Sequence, residues 1–168
     1  MFMKNSYEIE RKFLVAMPDV SQLDVSEKWE IIQTYLTKGE NDSQRRVRKI
    51  MSEGSISHTY TEKIFITHSV RKEFEKEITQ QEYDELIMQA DKNFTPVVKT
   101  RYRFNFRNQL FELDVYNFSS RLAIMELEVE KLEQEIFLPD FINVIKEVTD
   151  DRRYSNSALA NAGEFPHQ

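Results

Sequence analysis

Charged and apolar positions alternate with a period of two in one segment of the chain after another. In an extended strand, residues two apart share a face. Glu8, Glu10 and Lys12 fall on one such face with Ile9 opposite, and Arg46 and Arg48 flank Val47. Arg71, Glu73, Glu75 and Glu77 alternate with Lys72, Phe74, Lys76 and Ile78; Lys99, Arg101 and Arg103 alternate with Thr100, Tyr102 and Phe104. Glu112 and Asp114 flank Leu113, Glu126, Glu128 and Glu130 alternate with Leu127 and Val129, and Lys63 ends a further run that starts at Ile56. Residues 39–43 and 52–55 read as turns between extended runs, and Arg107-Asn108-Gln109 reads as a hairpin loop.

The period changes at Thr79. Thr79 and Glu82 have the spacing of a capping box, and Tyr83, Leu86, Ile87 and Ala90 follow as one apolar helical stripe that Pro96 stops near Asn93. Two shorter helices are predicted further on. Pro139 starts one carrying Phe141, Ile145 and Val148, and Ser155 caps another containing Ala158 and Leu159.

Taken singly, each charged face is what a half-exposed antiparallel sheet presents to water. Arginine and glutamate in step on at least five strands, with mostly aromatic or aliphatic residues opposite, point instead to an α+β fold. Its sheet closes into a barrel, charged side chains inward and apolar faces outward under helices. Closure also removes exposed strand edges.

Composition narrows this picture without changing it. The chain has 168 residues, 40% hydrophobic and 31% charged, the size of one domain, read as residues 1–163 with a loose tail at 164–168. The absence of cysteine excludes disulfide frameworks and thiol chemistry. No apolar run approaches a membrane span and no signal peptide is visible, so a cytoplasmic protein without a membrane partner is expected. A net charge of −6 argues against a general nucleic-acid binder.

The inward set holds bases (Lys12, Arg46, Arg48, Lys63, Arg71, Lys99, Arg101) and acids (Glu8, Glu10, Glu73, Glu75, Glu112, Asp114, Glu126, Glu128). So many bases suit a ligand bearing several phosphates, and hard divalent cations bridge carboxylates to such an anion. Mutual neutralisation as buried ion pairs is the alternative. Other chemistries lack support, since there is neither a Walker-type loop nor a dinucleotide glycine fingerprint. His58, His68 and His167 lack metal-ligand spacing and read as surface or loop histidines. Trp29 and Tyr35 read as core rather than as base-stacking platforms.

Tyr7-Glu8-Ile9-Glu10-Arg11-Lys12-Phe13-Leu14 resembles the Glu-x-Glu-x-Lys signature of the CYTH superfamily, the triphosphate tunnel metalloenzymes. Gln33-Thr34-Tyr35-Leu36, Arg46-Val47-Arg48, Thr61-Glu62-Lys63, Arg71-Lys72-Glu73-Phe74-Glu75, Lys99-Thr100-Arg101-Tyr102, Glu112-Leu113-Asp114 and Glu126-Leu127-Glu128 follow in the family's order. Glu147-Val148-Thr149 and Arg153-Tyr154-Ser155-Asn156 resemble the C-terminal stretch of its small bacterial members. The resemblance runs from about residue 5 to 160. The segment Asn117-Phe118-Ser119-Ser120-Arg121 departs from it by lacking a glycine.

This resemblance implies an eight-stranded antiparallel tunnel that hydrolyses triphosphates with Mg²⁺ or Mn²⁺. Lys12, Arg46, Arg48, Lys63, Arg71, Lys99 and Arg101 would bind a small-molecule triphosphate. Glu8, Glu10, Asp114, Glu126 and Glu128 would hold metal. Glu10 and Lys12 are assigned to catalysis; Glu73 and Glu75 match the family's pattern without an assigned role, orienting neighbouring bases being one option. Inorganic triphosphate is the leading substrate. A class IV-type adenylate cyclase, a thiamine or nucleoside triphosphatase, and a non-catalytic polyphosphate or nucleotide sensor are the alternatives. A monomer or homodimer is expected.

Overall fold

The computed structural model describes residues 3–67 and 70–168. Eight strands form the wall: β1 (Met3–Ala16), β2 (Val25–Tyr35), β3 (Gln44–Ser52), β4 (Ser55–Phe65), β5 (Val70–Ile78), β6 (Val97–Phe106), β7 (Gln109–Tyr116) and β8 (Leu122–Glu128). A short β9 (Val144–Glu147) and two helices, α1 (Gln80–Leu86) and α2 (Asn156–Ala162), complete the elements used below. The strands pair antiparallel in the order β5-β4-β3-β2-β6-β7-β8-β1, and β1 pairs back onto β5. The sheet is therefore a closed eight-stranded barrel, as the alternation and the resemblance require.

Two hairpins set the register that decides which side chains face inward. Ser52 opposes Ser55 across Glu53 and Gly54, at φ 51° and 78°, and Phe106 opposes Gln109 across Arg107 and Asn108, at φ 48° and 58°. Two central residues in the left-handed region give the tight turn whose twist matches its flanking strands. The glycine-free segment 117–121 needs no such residue. The Ser119 hydroxyl accepts from the backbone N–H groups of Arg121 (3.4 Å) and Leu122 (3.2 Å), and no residue there has positive φ.

The capping box is present: Thr79 Oγ1 accepts from Glu82 N at 3.1 Å and Glu82 Oε2 accepts from Thr79 N at 2.9 Å. α1 ends earlier than its apolar stripe predicts. The chain tightens into a 3₁₀ turn over Ile87–Gln89, and the end of β2 then takes its backbone, with Asp91 N donating to Tyr35 O at 2.9 Å. Tyr83 is buried with Leu36, Val47 and Ile78, so α1 covers the outer face of β3–β5. His58 lies under it, buried and 4.6 Å from the Tyr83 ring, not on the surface. His167 is exposed, and His68 lies outside the described residues.

The helix predicted from Pro139 does not form. After one turn the chain extends as β9 along β1, where the Arg11 guanidinium forks the Glu147 carboxylate at 3.0 and 2.6 Å. The reason is the unpaired edge of β1 beyond Ile9, where β5 stops; its backbone groups take β9 as partner. Ile142 and Val148 are buried while Phe141 and Ile145 stay exposed. The outer face of β1, β6, β7 and β8 (Phe13, Val15, Phe104, Phe111, Leu113, Met125) is thus covered by irregular chain carrying Leu23, Val129 and Ile142, not by a helix. Among the described residues, no helix is long and apolar enough to cross a membrane.

α2 sits over one end of the barrel, capped by Ser155 as the sequence predicts. There Leu14, Tyr35, Tyr116 and Ile124, which share the inward-facing parity, bury themselves against Tyr154, Leu159 and Phe165. Residues 164–168, expected as a loose tail, are anchored instead. The Phe165 ring is 5.6 Å from Tyr116 and 5.1 Å from Phe118, and Gln168 Nε2 donates to the Tyr154 hydroxyl at 2.9 Å. Phe165→Ala is therefore expected to cost about 3 kcal/mol of stability, read as a lower urea midpoint; an unchanged midpoint would show the anchor to be idle.

Candidate active site

Strand parity turns the predicted charged residues into the barrel. Two confluent cavities of about 300 and 240 Å³ share Glu10, Arg46, Lys63, Arg71 and Asn156 as lining. Lys12 lines the first, towards the α2 end; Glu8, Arg48, Arg101, Glu126 and Glu128 line the second. Lys99 and Asp114 lie deeper, 2% and 0% exposed, behind the cavity surface. Trp29 faces the lumen and carries the Arg103 guanidinium over its ring at 5.2 Å, so it is not a core residue. Tyr35 is buried, as expected.

Register sets base against acid across neighbouring strands. Directly opposed pairs are Lys12 and Glu126, Lys63 and Glu73, Glu8 and Arg71, and Arg101 and Asp114. The closest contacts surround Asp114: Oδ1 accepts from Arg101 Nε at 2.7 Å, and Oδ2 from Lys99 Nζ at 2.6 Å and Arg101 Nη2 at 2.8 Å. Both oxygens are thus taken, which makes Asp114 the anchor of two bases. Arg71 Nη2 meets Glu10 at 2.8 Å and Glu8 at 3.3 Å. Glu75 accepts from Arg48 at 2.6 Å and Glu73 lies 3.3 Å from Lys63, so each acid contacts a base.

The pairing fails in two places. Glu10 opposes Glu128, and Glu112 opposes Glu126, acid against acid. On β3, Arg46 lies between Tyr35 and Thr61, and Arg48 between Gln33 and Thr59, with no acid directly opposite either. Arg46 is buried, its Nε has no acceptor, and no carboxylate of the described residues pairs with it. Arg71 Nε is likewise buried without an acceptor. In the ring of eight strands β3 stands four places from β8 in either direction, diametrically across the lumen.

Ionisation follows from burial and these neighbours. Burial, reinforced by the Glu73 carboxylate, pushes Glu8 up to about 7. Burial also opposes ionisation of Glu10, but the charges of Arg71, Lys12 and Lys63 outweigh it and hold Glu10 at about 2. Lys63 is lowered to about 7 by burial with Arg46 and Arg71 adding, and burial lowers Lys99 to about 8 against the pull of Asp114. Burial and then the Glu10 charge raise Glu126.

The acid wall fits a hard divalent cation. Glu126 Oε1 is buried with no hydrogen-bond donor, only the Lys12 ammonium at 3.5 Å, and opposed carboxylates repel unless a cation lies between them. Among the described residues no three potential ligands already converge on one point, because most of these carboxylates are turned towards a base. Glu128 is exposed at the open end, and Glu130 lies beyond the last residue of β8 in an outer cleft. Sequence reasoning missed Asn156 and Trp29 as lumen residues. The Arg153-Tyr154-Ser155-Asn156 motif was the only signal for the first, and the shared parity of Trp29 and Tyr35 for the second.

Residues 6–155 match the family defined by the CYTH domain. The chain belongs to the CYTH family. An inorganic triphosphatase of Nitrosomonas europaea is 34% identical over 166 residues, covering 91% of this chain and 96% of that one. The solved structure of the inorganic triphosphatase NE1496 matches this CYTH barrel with a TM-score of 0.59 at 32% identity, over 95% of this chain and all of that one. The PH1819 protein of Pyrococcus horikoshii, 22% identical over 74% of this chain and 80% of its own, shares the fold with a TM-score of 0.57. Within this CYTH barrel, Asp114→Asn removes the charge closest to the buried Lys99 and Arg101, leaving Arg101 with Glu112 at 3.3 Å. It is expected to cost about 3–5 kcal/mol in urea unfolding; a neutral effect would mean that the two bases find another partner.

Proposed function

We propose that this protein is a metal-dependent triphosphatase that hydrolyses inorganic triphosphate to diphosphate and phosphate inside the barrel. The observation that carries it is Arg46 of β3, buried without a carboxylate partner among the described residues, facing across the lumen the acid-against-acid positions of β8 and its neighbours. A phosphate chain satisfies the first and a divalent cation the second, and the two ligands attract each other. Similarity to an inorganic triphosphatase supports the same reading.

In this reading Arg46, Arg48, Lys63 and Arg71 bind the phosphate chain, with Arg101 beside them. Glu10, Glu126 and Glu128 would hold Mg²⁺ or Mn²⁺, joined by Glu8 where it is ionised; Glu112, opposite Glu126, is placed to join them. The cation supplies Lewis-acid polarisation of phosphoryl oxygens. Asp114 and Lys99 act from behind the wall, Asp114 by fixing the Arg101 fork. Glu10, ionised down to a pH of about 2, orients the attacking water at the terminal phosphorus. A bond forms from the water oxygen to that phosphorus while the bond from phosphorus to the bridging oxygen breaks; one water proton stays on the released phosphate, the other passes to the diphosphate, and diphosphate leaves. Lys12, Arg46 and Lys63 neutralise charge as it moves onto the leaving group.

Phosphate release from tripolyphosphate, ATP and thiamine triphosphate, each with Mg²⁺, Mn²⁺ or chelator, tests the assignment. Metal-dependent release, fastest from tripolyphosphate, is expected. Cyclic AMP plus diphosphate from ATP would replace the reading with a cyclase, and binding without turnover would replace it with a sensor. Arg46→Ala is expected to lower kcat/KM about 100-fold, roughly 2.7 kcal/mol. Glu128→Gln should lower turnover severely without unfolding, since Glu128 is exposed.

Proton linkage gives a second check. A bound polyanion raises the affinity of Lys63 and Glu8, both near 7, for protons. Tripolyphosphate binding in chelator at pH 7.5 (roughly half a unit above both groups) is therefore expected to take up protons. Adding Mg²⁺ without substrate should release them from Glu8. Buffer-dependent heats in calorimetry read both signs, and release on anion binding would contradict the placement of these two groups.

A further inference from the structure

Asn156 is the first residue of α2, and its side chain reaches back into the barrel. Its Oδ1 accepts from Tyr116 Oη at 2.6 Å and from Lys99 Nζ at 3.2 Å. Both donors are buried in the wall, each 2% exposed. A lysine ammonium only donates, so it dictates which way the amide is turned: oxygen to the wall, nitrogen away from it. Asn156 also lines both cavities, beside Arg46, Lys63 and Arg71. Its Nδ2 makes no hydrogen bond to any described residue, which leaves it as the polar atom that Asn156 presents to the lumen.

We propose that Asn156 is a substrate-binding residue, donating from Nδ2 to an oxygen of the bound phosphate chain while its Oδ1 positions the Lys99 ammonium. The inference rests on the triphosphate reading of the lumen. An amide suits this place because its two ends differ: the acceptor meets a buried cation and the donor meets an anion. The Ser155 hydroxyl, accepting from Ala158 N at 3.1 Å, and the burial of Leu159 beneath α2 hold the residue in place. The C-terminal segment thereby supplies a ligand contact to a site otherwise built from strands.

Asn156→Asp separates this role from a merely structural one. Aspartate keeps an oxygen for Lys99 and Tyr116, so a residue that only supports the wall would tolerate it with KM unchanged. A substrate contact would not, because a donor has become an anion facing phosphate. The expected result is a melting temperature near that of the wild type and a tripolyphosphate KM raised about 10- to 100-fold, in line with loss of a hydrogen bond to a charged group. A KM within about threefold of wild type would overturn the inference, taking about 1.4 kcal/mol per tenfold as the scale. Should the aspartate variant fail to fold, calorimetric binding of tripolyphosphate to Asn156→Ala decides the matter, about tenfold weaker binding supporting it and unchanged binding overturning it. Wild-type protein that binds no tripolyphosphate would instead overturn the reading of the lumen itself.

Discussion

Charge inside a barrel has to be compensated, and in this protein the compensation is built into strand register. An unpaired ion removed from water costs several kcal/mol, more than a small barrel can carry many times over. Antiparallel pairing sets Lys12 opposite Glu126, Lys63 opposite Glu73, Arg71 opposite Glu8, and Arg101 opposite Asp114. A slip of one residue would send each of these side chains to the outer face and bring apolar ones inward. The tight turn at Arg107-Asn108 is thus an electrostatic as well as a geometric device, because it holds Arg101 opposite Asp114.

The proposed functional centre lies where register sets like charge against like. Among the described residues no carboxylate pairs with Arg46, while register sets Glu10 against Glu128 and Glu112 against Glu126, even though Arg71 and Lys12 lie beside Glu10 and Glu126. These two deficits have opposite sign and stand across the lumen from each other, so one ligand does not relieve both. A polyanion and a cation together do. The same imbalance brings Lys63 and Glu8 to about 7, where arrival of either ligand moves protons. Ion pairs fill one part of the interior, and the proposed ligand site is the part where pairing fails.

The C-terminal segment adds an end wall to this tunnel. Tyr154, Leu159 and Phe165 form an apolar layer on the inward-facing Leu14, Tyr35, Tyr116 and Ile124, so the lumen gives way to core at that end. Asn156 stands at the boundary, with its oxygen bound to the wall and the cavity on its other side. Stability and ligand binding meet in that helix. Its packing positions a polar group that the strands themselves do not provide.

The alternation of charge at period two determined the closed barrel and the inward set, because a strand's side-chain period is a local property of the backbone. The order of the motifs determined the family, and the Thr79 and Ser155 caps, which are satisfied within three residues, were legible for the same reason. Pairing was not. Lys63 with Glu73 and Arg101 with Asp114 meet across consecutive strands, but Glu8 meets Arg71 and Lys12 meets Glu126 only on barrel closure, which brings β1 against β5 and β8 from far along the chain. The β6–β7 hairpin gives Asp114 to Lys99 and Arg101, while the folded ring as a whole leaves Arg46 without a carboxylate among the described residues. The edge of β1, and not the helical spacing after Pro139, decided that residues 144–147 extend as a strand. Local periodicity is written in neighbouring residues; the balance of charge in a cavity is a sum over strands that only the folded ring brings together.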